Sequence, residues 1–145
     1  MSVVRNLCAV LLAVLLTACE TSNTPVAWFQ GDWVIDTEAS VAESDARMQL
    51  SGEARESLRE LYSSNLTWEV SVQDLRVLRD GVQPHSSGYR MTDSAGELKL
   101  HILDEGPNAV FEVWRTSSGF CARFSRSGDT PIPNGFVDCF VPEKS

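Results

Sequence analysis

Leu66-Thr67-Trp68-Glu69-Val70-Ser71-Val72 decides the fold class. Large apolar residues stand at every second position, and polar ones stand between them. A strand turns successive side chains to opposite faces, so this pattern gives one buried and one wet face. A helix would scatter the same residues around its axis.

Working outward, the same period recurs downstream. Gln73-Asp74 reads as a turn or bulge, after which Leu75 and Val77 resume the alternation. Asp80-Gly81 is a hairpin signal. A strand is expected over Ser87 to Thr92, a turn over Asp93 to Gly96, and a strand carrying Leu98, Leu100 and Ile102. Asp104-Glu105-Gly106-Pro107 is another turn, followed by a strand from Asn108 to Arg115. Thr116 to Gly119 turns the chain again, and Phe120, Ala122 and Phe124 alternate. Pro131 to Gly135 reads as a loop, because two prolines cannot serve a central ladder. Phe136 to Val141 is the last expected strand.

Upstream the period changes. From Thr37 to Ser64 Ala, Glu, Arg and Leu dominate, and helix is expected. Leu50, Ala54, Leu58, Leu61 and Tyr62 form a stripe of helical period, which predicts one core-facing side. Ser51 is a suitable N-cap with Glu53 in the first turn, and Gly52 is a place where the segment divides in two. Before it, Trp28 to Asp36 reads as a first, aromatic-rich strand. The expected fold is therefore mainly β with a helical insert after the first strand. About eight strands joined by short turns must run antiparallel, as a meander. Curling into a barrel or half-barrel removes the edges of such a sheet.

The N-terminal residues carry an address. Arg5 is the single charge before Cys19, and an apolar run extends from Leu7 to Leu16. A helix of about ten residues spans roughly 15 Å, half the hydrocarbon thickness of a bilayer. A basic start, a short apolar core and small residues at its end describe a secretory signal peptide. The stretch Leu16-Thr17-Ala18-Cys19 resembles the lipobox of bacterial lipoproteins. That resemblance implies cleavage before Cys19 and lipidation of its thiol and new amine, with palmitate-type chains. Several acyl chains hold a protein firmly where one does not. Glu20, rather than Asp, follows the cysteine; within that family this implies the outer membrane, facing the periplasm. The expected organisation is a signal peptide over 1–18, a lipidated cysteine and tether over 19–27, and one domain over 28–145.

Charge and cysteine content narrow the function further. The whole chain carries a formal charge of −8. Loss of Arg5 with the signal peptide makes the mature chain one unit more acidic. Nucleic-acid binding needs a basic stripe, so nucleic acid is not an expected partner. Cys121 and Cys139 are an even pair in an exported domain, which predicts one disulfide. His85 and His101 are not at metal-ligand spacing, and no cofactor is expected. Ser117-Ser118 has no neighbouring base, and the adjacent Asp104 and Glu105 read as solvated charges, so no catalytic residue is assigned.

Gly31-Asp32-Trp33 at the head of the first strand resembles the Gly-x-Trp signature of the calycins, the lipocalins and intracellular fatty-acid-binding proteins. The helical insert after that strand resembles the fatty-acid-binding branch. The likeness spans about residues 28 to 126. It implies a Trp33 plug at one barrel end with an arginine stacked on it, for which Arg123 and Arg126 are candidates. It also implies a small apolar ligand, with Trp68, Val70, Leu100, Ile102, Phe111 and Val113 as candidate lining. Ser117-Ser118-Gly119 with the late Cys139 also resembles, over a few residues, periplasmic lipoprotein inhibitors of lysozyme. The expected function is thus a membrane-anchored, non-catalytic binding module. The alternative is an inhibitor or scaffold that meets a basic envelope protein.

Overall fold

The computed structural model describes residues 26–103, 109–127, 130–131 and 135–144. Cys19, the expected signal peptide over 1–18 and the expected turn at 104–107 lie outside them.

Nine strands form in chain order: β1 (Gly31–Ile35), β2 (Thr67–Val70), β3 (Asp74–Arg79), β4 (Val82–Ser94), β5 (Glu97–Leu103), β6 (Ala109–Arg115), β7 (Phe120–Ser127), β8 (Thr130–Pro131) and β9 (Val137–Pro142). Each of β1 to β6 pairs antiparallel with its successor, except that β1 also pairs with β9. β6 pairs with β7 and β7 with β9, so the ring closes. Eight strands thus make a closed antiparallel barrel. The two-residue β8 lies outside the ring, paired only with the end of β7.

Alternation sets which side chains point inward. Trp33 stands opposite Trp68, Leu100 opposite Met91 and Phe111, and Phe120 opposite Phe140. All of these except Phe111 are buried, and Phe111 packs against them. The β4–β5 connection is two residues, Ala95-Gly96, both with positive φ. That is the hairpin turn whose twist matches its strands, and glycine adopts it without strain.

Two helices fill the insert, α1 (Thr37–Met48) and α2 (Gly52–Tyr62). Asp36 caps α1, accepting from Ala39 N at 3.0 Å, and Ser51 caps α2, accepting from Ala54 N at 3.1 Å. Gln49 closes α1 in the left-handed conformation, so the break falls three residues before Gly52. Asp45 secures the corner by accepting from Leu50 N and pairing with Arg55.

Four local expectations are corrected. Trp28 and Phe29 are not strand; Ala27–Phe29 is one turn of 3₁₀ helix that tucks Phe29 into the barrel. Val72 is 54% exposed, because β2 stops at Val70 and Ser71 folds back onto Asp74. Leu61 is 48% exposed, since α2 presents Leu58 and Tyr62 to the core and Leu61 falls on the outer side. β4 begins at Val82 rather than Ser87, despite Pro84.

Candidate functional site

The six candidate lining residues do come together. Trp68, Val70, Leu100 and Val113 are buried in one cluster, with Ile102 and Phe111 half-buried against it. Their surroundings are aromatic. Trp68 lies 4.5 Å from Phe140 and 5.9 Å from Phe111, ring centre to ring centre. Phe120 stacks on Phe140 at 5.1 Å and meets Trp33 edge-on at 4.9 Å. These are the separations of packed aromatic pairs. The candidate wall of a ligand cavity is therefore side chain packed on side chain.

Trp33 is buried beside the 3₁₀ turn. Its indole N–H donates to Phe29 O at 2.8 Å. Phe29 in turn lies 5.2 Å from Phe120 and 5.7 Å from Tyr89. Arg115 lies over Trp28, 5.1 Å from its ring centre, and Arg47 over Trp114 at 4.6 Å. Such pairings stabilise by cation–π attraction. Arg123 stands opposite Glu112 in the β6–β7 ladder and donates to it at 2.7 and 3.0 Å. Arg126 is exposed near the end of β7. Beside the 3₁₀ turn is a depression of about 630 Å³, lined by Trp28, Gln30, Gly31, Asp32, Trp33, Pro142, Glu143 and Lys144.

Cys121 and Cys139 form the disulfide. They are direct partners in the β7–β9 ladder, and they pack with Val137, Ala39 and Trp114 on the outer side of the wall. A second, smaller depression of about 210 Å³ runs beside them, between α1 and the β6–β7 turn.

The sequence reading missed Ser40 and Ser44. Both are fully buried. β1 ends at Ile35, which leaves the flank of β9 over residues 137–139 without a strand. Asp36 N donates to Cys139 O at 2.7 Å, and then the chain becomes α1. Ser40 Oγ accepts from Cys139 N at 2.8 Å, and Ser44 Oγ accepts from Val137 N at 2.9 Å. Four helical residues rise about 6 Å and two strand residues about 6.7 Å, so the spacings match. The helix stands where a strand would be.

A second missed pair is Tyr62 and Asp138, which share a short hydrogen bond donated by the tyrosine hydroxyl. Burial raises the pKa of Asp138, while the Tyr62 hydrogen bond and Arg79 act against that rise. Burial, and then the nearby Asp138 carboxylate, hold the Tyr62 hydroxyl firmly protonated. This pair ties α2 to the barrel.

The histidines stand apart. Ser87, buried, lies 2.9 Å from His85 Nε2 on β4, and His101 lies 3.2 Å from Thr92 Oγ1. Burial, with Arg90 and Lys99 nearby, lowers the pKa of His101. Among the described residues no three His, Cys, Asp or Glu gather as a metal site.

No known protein family, curated protein or solved structure matched the chain.

Proposed function

We propose that this chain is an envelope lipoprotein, anchored through Cys19 after loss of residues 1–18, whose barrel is a non-catalytic module that binds protein on its outer surface. Its place is the outer membrane, facing the periplasm. The packed interior carries the reading: the six residues that an apolar ligand would touch belong to one apolar cluster of the barrel, with Trp68 set ring to ring against Phe140 and Phe111. The acidic charge supports a basic partner, through faster encounter more than through affinity. A second reading keeps a small apolar ligand. Ile102 and Phe111 are only half-buried, and a bound lipid fragment would cover them.

Native mass spectrometry of protein extracted gently from its host membrane tests both. The expected spectrum shows a chain beginning at a triacylated Cys19, with no co-purifying small molecule other than membrane phospholipid. A chain that keeps residues 1–18, or starts at an unmodified Cys19, overturns the anchor. A stoichiometric apolar compound other than a membrane phospholipid overturns the outer-surface reading in favour of a carrier. Cys19→Ser should move the protein from the membrane to the soluble fraction.

A further inference from the structure

We propose that the depression beside the 3₁₀ turn is a headgroup site for a phospholipid with a primary amine, of the phosphoethanolamine type, in the membrane that holds the anchor. This inference rests on the lipoprotein reading.

Cys19 and Val26, the first described residue, are seven residues apart. At about 3.5 Å per residue the connection spans at most roughly 25 Å. The barrel is therefore held to the bilayer by the end that carries Trp28, Trp33 and the depression.

The depression, about 630 Å³, has the capacity of a small-molecule site. Asp32 and Glu143 both line it and are exposed. Glu143 N donates to Asp32 O at 2.9 Å, which seats the two residues side by side across the β1–β9 seam. An ammonium group has three donors and two carboxylates offer matching acceptors. Lys144 lines the same depression and supplies a cation for the phosphate. Trp28 gives an apolar wall with Arg115 on its ring, and Trp is favoured at the headgroup level of membranes. Gly31, at φ +130°, brings the chain into β1 in a conformation that L side chains rarely adopt.

The arrangement discriminates. A choline headgroup has no N–H to donate to the carboxylates. A glycerol headgroup has no cation and brings its phosphate towards Asp32 and Glu143.

The test uses the lipidated full chain in nanodiscs of phosphatidylcholine, with and without phosphatidylethanolamine or phosphatidylglycerol. Amide exchange is read over residues 28–33 and 141–144. Exchange about tenfold slower with phosphatidylethanolamine alone is expected, and Asp32→Asn with Glu143→Gln should abolish the difference. Both positions are exposed, so the fold should tolerate the changes. Equal exchange in all discs, or a difference that survives the double variant, overturns the site. Intact mass of the same sample reports the anchor separately. If Cys19 carries no lipid, full-chain Cys19→Ser titrated with soluble dihexanoyl phosphatidylethanolamine still decides the site: saturable quenching of tryptophan fluorescence, absent with the choline analogue, upholds it, and no response overturns it.

Discussion

The two flanks of β9 meet the same demand by different means. Facing β7, its backbone groups enter a ladder from Phe120↔Phe140 to Arg123↔Val137, with a disulfide laid across it. Facing away, beyond the short β1, they meet two serine hydroxyls on a helix. Buried N–H and C=O groups must be paired, but nothing requires the partner to be a strand. A ladder shares its loss among many bonds. The serine flank concentrates it in two side chains, and there the barrel should be easiest to open.

The largest expected effect is therefore on that flank. Ser40→Ala with Ser44→Ala would leave the N–H groups of Val137 and Cys139 without these partners. At about 1–3 kcal/mol for each orphaned group, the loss should be about 4 kcal/mol in urea unfolding. Amides of α1 should exchange faster than those of β7. A loss below about 1 kcal/mol would mean that water replaces the serines and the two flanks are not so different.

On the ladder flank, replacing Cys121 and Cys139 together by Ala should cost about 3 kcal/mol, for a sequence separation of 18 residues. That is a fall in Tm of roughly 10 °C. An unchanged melt would show that the ladder alone suffices. Next comes Gly119→Ala, whose Cβ would stand 1.9 Å from Phe140 O. The turn must shift, costing about 2 kcal/mol by the measure of overpacked sites. A neutral result would mean that the β6–β7 turn is not held against β9.

The smallest effect is at Tyr62→Phe, about 1 kcal/mol for one partly buried hydrogen bond. Its signature is in pH. Burial raises the Asp138 pKa, so the folded chain holds that proton more tightly than the unfolded chain does. The stability it contributes is full below the ordinary Asp pKa and is lost as pH rises through the folded value. Tyr62→Phe removes a bond that favours the carboxylate, so the loss should move to higher pH. Asp138→Asn should remove it. Parallel stability–pH curves for wild type and Asp138→Asn would refute this.

The contrast also explains what the sequence revealed. The ladder was legible because alternation at Leu98, Leu100 and Ile102, or at Phe120, Ala122 and Phe124, is a property of one strand. Ser51 was legible as a cap because capping is local. Ser40 and Ser44 were not, since mid-helix serines normally face water and their use depends on a strand about a hundred residues away. The one local hint is that two uncharged residues at i and i+4 flank Val41 while Glu38, Glu43 and Asp45 surround them. Val72 continued the alternation but fell past the last ladder pair, Gly31↔Val70, which the partner strand sets. The six lining candidates were legible as an inward face. Whether that face encloses space depends on ring sizes across the barrel, which no single strand records.

The seam that joins Trp33 to Pro142 also puts the two ends of the barrel's chain side by side. An affinity tag or fluorescent protein appended at the C-terminal end would leave the barrel beside the start of β1 and compete for room with whatever segment enters there. The same closeness suits circular permutation. A few glycines linking Lys144 to Val26, with new ends cut at Ala95-Gly96, would leave every ladder of the ring intact and present the ends at the opposite wall.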